Sequence, residues 1–413
     1  MKVLVCGGGI AGLSLALSLD AADIEVEVYE AAAEIDELGV GINVMPHAVR
    51  ELTELSVVDE VAKLGLATQE LVMFNEHGQK IWGEPSGLAE GYDWPQYSIH
   101  RGRLLGVLYR ACLDRLGAER VHTGHRGVRF SRDDDSATLH FEDGSSADGD
   151  LLVGADGLGS TIRLHLYPDE GAPLWNGVTM FRAVAIAEPP LTGASMVLIG
   201  RAGHRAVIYP ISERGADGRA EVNMVLDAQI SDPGELPRHD WHHTVDKEVV
   251  LEHFGEMRFD FCDVGGLVEA ADEWWQYAMV DRDPLPRWSF GRVTLIGDAA
   301  HPMYPVGSNG ASQAIIDART LAYRLATEPD LEKALDAYES ERRPRTAAVV
   351  EANRDLVAVK CMELAQERAP DGFDRIEDVF APGELEELSA NFKRIAGFDP
   401  KELNERPSLS VKA

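Results

Sequence analysis

The feature that most constrains this chain is its opening: "KVLVCGGGIAGLSLALSL" runs straight into "IEVEVYE". Residues 2–6 form an apolar run of strand length, and Leu13, Ala16, Leu17 and Leu19 mark the apolar side of a helix after it. Gly7, Gly9 and Gly12 give the G-x-G-x-x-G spacing between the two. Each glycine answers a separate steric demand. Gly7 permits a tight turn, Gly9 lets the backbone approach a pyrophosphate, and Gly12 allows close helix–strand packing. Free amides at the helix start favour phosphate charge. Glu30 closes the second strand, where a carboxylate accepts from ribose hydroxyls. A β–α–β start of this kind predicts a parallel sheet and a dinucleotide, without saying which.

Composition narrows the function classes. A formal net charge of −31 over 413 residues argues against nucleic acid, whose backbone would be repelled. No apolar run approaches the ~18 residues of a membrane span. A single Lys2 before the first strand does not resemble a signal peptide, so a cytoplasmic protein with no membrane partner is expected. Cys6, Cys112, Cys262 and Cys361 are isolated, which indicates neither disulfides nor a metal site.

Along the chain, residues 34–64 read as mostly helical, interrupted by "LGVGI" at 38–42. Residues 71–82 alternate like a strand and lead into a polar loop. Residues 103–117 predict an amphipathic helix closed by Gly117. A small antiparallel meander follows, with turns at Asp133–Asp135 and Asp143–Gly144. Four strands of a separate sheet are expected over 177–230, a helix over roughly 245–257, and charged, helical structure over 331–368. "EWWQY" at 273–277 is expected to anchor the domain junction. His122 and His125 are read as surface residues, and the tail beyond Ala369 is polar with Pro and Gly.

Two later segments repeat the opening style. "DLLVGADGLGSTIR" (150–163) and "RVTLIGDAAHPMYPVGSNGASQAIIDA" (292–318) each run a strand into glycine and aspartate. Ligands of parallel sheets gather beyond the strands' carboxyl ends, and three such ends suit one long cofactor. With these motifs the sequence, over roughly residues 1–350, resembles the FAD-dependent aromatic hydroxylases of the p-hydroxybenzoate hydroxylase fold, the group A flavoprotein monooxygenases. "MYPVGSNGASQAIIDA" is similar to the 5-methylphenazine-1-carboxylate monooxygenase-like branch in particular.

The resemblance implies an α/β fold: a Rossmann-like FAD-binding domain of the GR2 or p-hydroxybenzoate hydroxylase type. It carries an inserted, mostly antiparallel substrate sheet and C-terminal helices. The domains would be 1–72, 98–176 and 280–350 for FAD, 73–97 and 177–279 for substrate, and 351–413 as a helical extension. Non-covalent FAD would be held by Gly7, Gly9, Ile10, Ala11, Gly12 and Glu30, then by Asp156 and Gly157, and by Gly297 and Asp298. Gly41, Ile42 and Arg101 would lie along the flavin. Gly307, Asn309, Gly310 and Ala311 would present amides to its anionic edge, with side-chain N-capping by Ser308 or Asn309 as the ordinary alternative. Pro305 would sit at the reacting face.

The implied reaction is hydroxylation of a small aromatic (phenolic, carboxylated or polycyclic) through a flavin C4a-hydroperoxide, with O2 and NADH or NADPH as co-substrates and a role in secondary metabolism. No second dinucleotide unit exists, so the reductant would bind transiently. The lack of a basic clamp for a 2′-phosphate leans to NADH. Tyr209 is the leading catalytic candidate, able to orient or help deprotonate a ring hydroxyl. Arg205 and Arg182 could pair with a substrate carboxylate, and Met224 could pack on the ring. Relatives place a histidine shortly upstream of this tyrosine. Arg205 stands there instead, which argues against a histidine base. His301 is expected to pack its loop, and His47 is a weaker candidate still. A same-fold epoxidase or isoprenoid reductase, a non-catalytic flavin sensor, and either a monomer or a homodimer stay open at this point.

Overall fold

The computed structural model describes residues 1–35, 39–233 and 243–411. Five parallel strands form one sheet in the order Val293–Leu295, Leu151–Gly154, Lys2–Cys6, Glu25–Tyr29 and Val121–His122. The first strand sits in the middle because "KVLVC" is apolar on both faces, and Val3, Leu4 and Val5 are fully buried. The helix Ile10–Asp20 follows it, packed between the helices Arg101–Leu116 and Gly310–Thr327. It is so enclosed that even Ser14 and Ser18 are buried. Gly12 makes that packing possible, since a Cβ there would lie 2.0 Å from the Gly7 carbonyl oxygen. Gly7 itself adopts φ +113°, and a Cβ on it would meet the Ala155 oxygen at 2.4 Å.

An eight-stranded sheet stands over the carboxyl ends of these strands. Its order is Thr244–Val245, Trp274–Asp281, Leu174–Ala187, Ala220–Gln229, His204–Pro210, Ser195–Arg201, Glu70–Phe74 and Lys80–Pro85. Only the pairing of Glu70–Phe74 with Ser195–Arg201 is parallel. Side chains alternate across it with period two. Ala206, Ile208, Val222, Met224 and Leu226 enter a core under the helices Lys247–Phe254 and Val264–Ala270. Val207, Tyr209 and Val225 point the other way, toward the parallel sheet.

Several local expectations are corrected. The stretch read as helix from Glu34 contains the strand Gly41–Val44 before the helices Pro46–Glu54 and Val58–Leu64, and Leu38 of "LGVGI" lies outside the described residues. The single strand at 71–82 is a hairpin. The Asn75 side chain accepts from the Gln79 amide at 2.9 Å, and Gly78 at φ +78° turns the chain. Of "EWWQY", Trp274 is sealed in the core beneath the long sheet, whereas Tyr277 packs against Arg182 on the face turned to the parallel sheet. The helical structure expected over 331–368 is present, broken after Leu331–Arg354, where Leu356 turns left-handed at φ +51°, and resumed at Lys360–Arg368. The helices Glu384–Ala396 and Pro400–Glu405 follow, their apolar side closing on Tyr92 and Val349 through Phe392, Phe398 and Leu403. The helix at 103–117 spans Arg101–Leu116, with the Gly117 amide donating to the Leu113 carbonyl at 3.0 Å. No described helix is long and apolar enough to cross a membrane.

Candidate active site

Between the two sheets lies an elongated cavity of about 340 Å3. The turns after three parallel strands open into it: Gly9, Ile10 and Ala11 from the first, Ala155 and Gly157 from the second, Asp298 from the third. Gly41, Ile42 and Arg101 line it from the strand Gly41–Val44 and a neighbouring helix start. Asn309, Gly310 and Ala311 line it from the start of the helix Gly310–Thr327. Arg205, Tyr209 and Pro305 share the same space. Fourteen of the twenty residues expected in the site from sequence therefore converge on one cavity.

The other six do not line it. Gly12 packs against Gly7 inside the strand–helix turn, and Gly7 abuts the Ala155 carbonyl of the second turn. Glu30 folds back on the glycine loop, accepting from the amides of Gly8 at 2.6 Å and Ala32 at 2.8 Å. Asp156 accepts from Ser160 Oγ at 2.5 Å and from the Thr161 amide at 2.7 Å, so its carboxylate secures the start of the helix Thr161–Leu166. Gly297, at φ +57°, lets the third turn pass between Ala11 and Ala314. Gly307 is turned away: a Cβ on it would lie 2.2 Å from Phe392 Cζ, so its bareness serves the C-terminal helix.

Two helix starts face the cavity without a side-chain cap. Gly9 precedes Ile10–Asp20, and nothing lies within 4 Å of where its Cβ would be. At the other start neither Ser308 nor Asn309 caps the helix, contrary to the capping alternative. The Asn309 amide group donates instead to the Gly307 carbonyl at 2.9 Å. Gly307 and Ser308 both hold positive φ, +72° and +57°, and for serine that costs on the order of 1 kcal/mol. The first-turn amides are thus aimed at the cavity, where they favour negative charge.

A hub of buried charge fixes the third turn. Asp317 accepts from the Gly297 amide at 3.0 Å and from Arg342 Nε at 2.7 Å, and contacts His301 Nε2 at 2.5 Å. Burial works against its charge, yet His301 and Arg342 hold its carboxyl below the usual carboxylate value. Arg163 ties the second turn to the third by donating to the carbonyls of Ala299 and Ala300. His47 stacks on Phe398 at 5.1 Å, and burial, followed by the fields of Arg406 and Arg342, lowers it to about 3.

The opposite wall comes from the long sheet. Gly41 donates its amide to Asn223 Oδ1 at 2.6 Å, and Arg182 Nη2 donates to the Gly41 carbonyl at 2.9 Å. Burial pushes the Tyr209 phenol up to about 12, against the opposing pull of Arg182, Asn43 and Asn223. It is therefore a protonated donor near neutrality, which suits orienting a ring hydroxyl better than deprotonating one. Arg205 and Asp227 sit directly opposite in register and touch at 2.5 Å. The expected pairing of Arg205 with a substrate carboxylate is thus taken by Asp227. Arg182 has no carboxylate within ion-pair reach among the described residues, and its Nε is buried without a partner. Met224 does not face the cavity, because it pairs with Ile208 and shares that residue's face.

Sequence reasoning missed Asn43, Asn223, Asp227 and Asp317. Their signal is register and three-dimensional pairing, not motif. It also missed a second cavity, about 130 Å3, that adjoins the first at Pro305 and is walled partly by residues beyond 350.

The donor set fits a flavin dinucleotide: uncapped amides at both helix starts and an open Gly9. Comparison with known proteins agrees. A family model described as an FAD binding domain matches residues 1–353. The chain is 43% identical over 364 residues to phenazine 1,6-dicarboxylic acid hydroxylase PhzS of Lysobacter antibioticus, covering 86% of this chain and 89% of that protein. It is 34% identical to 3-hydroxybenzoate 6-hydroxylase 1 of Aquipseudomonas alcaligenes, over 84% and 86% of the two chains. The fold is similar to that of Klebsiella pneumoniae HpxO complexed with FAD and uric acid, with TM-score 0.78 and 24% identity over 97% of this chain and 98% of the other.

Proposed function

The chain belongs to the FAD binding domain family and is an FAD-dependent aromatic-ring monooxygenase, and on that premise we propose what it oxidises and how its residues take part. The substrate is a phenolic or carboxylated aromatic small molecule of the kind named for its relatives, which act on phenazine dicarboxylate and hydroxybenzoates. One ring C–H becomes C–OH. O2 supplies the oxygen atom, NADH or NADPH supplies two electrons, and the second oxygen leaves as water.

The observation that carries this reading is the single cavity joining the uncapped helix starts to Arg182 and Tyr209. Bound FAD supplies electron transfer to O2 and delivery of oxygen to the ring. Gly9–Ala11 would hold its phosphates, and the Gly310 and Ala311 amides would hold the negative charge of its reduced ring. Arg182, desolvated and without an acidic partner, would bind the substrate's carboxylate or phenolate. Tyr209 would fix a ring hydroxyl through its O–H. Val207, Val225, Met279 and Pro305 would keep water from the reacting atoms.

The test is to screen hydroxylated aromatic acids for stimulation of NADH and NADPH oxidation by the FAD-loaded protein, with oxygen uptake and product mass recorded together. Stimulated oxidation with a product heavier by one oxygen is expected. Nucleotide oxidation indifferent to every aromatic tested would refute the proposal.

A further inference from the structure

The second cavity shares Arg205, Val207, Pro305, Val306 and Ser308 with the first, so the two meet at the expected reacting face. Met73, Met196 and Leu198 line it from the long sheet, and Leu388 and Phe392 from the helix Glu384–Ala396. Its volume of about 130 Å3 is near the ~150 Å3 in which an engineered apolar cavity binds benzene. Thioether and hydrocarbon walls left bare lose dispersion contacts that a flat ring restores.

One part of the lining is charged. Lys393 contacts Glu90 and reaches Glu84 at 3.0 Å, and Ser389 donates to Glu84 at 2.6 Å. Two carboxylates share one ammonium, with all three side chains largely buried, which leaves one negative charge in excess. The remaining cations of the lining are occupied: Lys360 pairs with Glu363 at 2.7 Å and Arg205 with Asp227 at 2.5 Å. A dry carboxylate in excess accepts a donor and penalises a second anion.

We infer that this annex receives a second aromatic ring, so that the molecule hydroxylated is a fused or linked multi-ring compound whose distal ring carries a hydrogen-bond donor and no carboxylate. The inference rests on the hydroxylase reading above and specifies where the ring system extends. Leu388, Phe392 and the Glu84–Lys393–Glu90 cluster are then specificity determinants supplied mostly by the C-terminal helices.

The test titrates the FAD-loaded full chain with a one-ring hydroxybenzoic acid and two hydroxylated three-ring acids, one amino-substituted and one carboxylated on the distal ring. Flavin absorbance reports binding. The amino-substituted three-ring ligand should bind at least about tenfold more tightly than the one-ring acid, and at least about tenfold more tightly than its carboxylated analogue. Leu388→Trp should erase the first ratio by filling the annex, and Glu90→Gln the second. FAD content and thermal midpoint check folding, and Leu388→Phe replaces the tryptophan variant if that one does not retain FAD. Ratios unchanged in variants that keep FAD, or tight binding confined to one-ring acids, overturn the annex assignment alone. If no ring compound of either size perturbs the flavin or speeds nucleotide oxidation, the hydroxylase reading itself fails.

Discussion

Gly41 and Asn223 hold the two walls of the cavity together: the glycine amide donates to the asparagine Oδ1 at 2.6 Å, with no room for a side chain between them. A Cβ at Gly41 would lie 2.6 Å from Asn223 Cγ, so Gly41→Ala must push the strand Gly41–Val44 away from the long sheet. Asn223→Ala instead strands a buried amide, at a cost of about 1–3 kcal/mol. Both variants should bind FAD more weakly, by roughly tenfold or more, as read by flavin fluorescence on titration. Undiminished affinity in both would contradict the role given to this contact.

Arg182 and Arg205 are expected to separate in kinetics. Arg182→Met removes the guanidinium that lacks an acidic partner, and should raise KM for carboxylated substrates by about 30-fold or more with FAD content intact. Arg205→Met strands Asp227, whose carboxyl burial already lifts above the usual value. That variant should lose about 3–5 kcal/mol of stability, because an unpaired buried charge is left behind. Thermal unfolding and steady-state kinetics on the two variants distinguish the assignments.

Asp317 is predicted to be a stability residue whose effect depends on acid. Its folded-state value is depressed, so the stabilisation is present above the unfolded carboxyl value of about 3.9 and is lost as pH falls through the lower folded value. Asp317→Asn should lower the unfolding free energy near neutrality by about 3–5 kcal/mol and flatten the acid limb below about pH 4. Denaturant melts across pH measure both.

His47 acts in a higher window. Held at about 3 when folded, against about 6.5 when unfolded, it stays neutral in the native state while the unfolded chain takes up a proton. Its neutral, buried form thus supports the fold above about pH 6.5, and that support is lost as pH falls toward 3. His47→Phe, which keeps a ring against Phe398, should make stability fall less steeply between those values. An unchanged slope would place the acid sensitivity elsewhere.

The parts legible in the sequence are those where sterics act locally. Gly12 had to be glycine because the Gly7 carbonyl oxygen lies where its Cβ would be, and Gly7 because the turn itself gives it φ +113°, both constraints arising within one short turn. Gly307 looked the same from its neighbours, but the atom that excludes its side chain belongs to Phe392, far along the chain. Met224 was assigned to the wrong face because strand register decides it: Tyr209 pairs with Asn223 and Ile208 with Met224. Arg205 reads as a free cation until its cross-strand partner Asp227 is known. The C-terminal helices carry no motif because their contribution is packing, Phe392, Phe398 and Leu403 closing on Tyr92 and Val349.

The reach of Phe392 to Gly307, together with the bond from Gln313 to the Ala396 carbonyl at 2.9 Å, also orders events in time. During translation the whole stretch 1–353 emerges before residues 384–396 do. A nascent chain can build the parallel sheet and the glycine turn first, but its Gly307 loop and neighbouring helix start are braced only once the later helix docks. Tight retention of the prosthetic group should therefore be a late event in biogenesis.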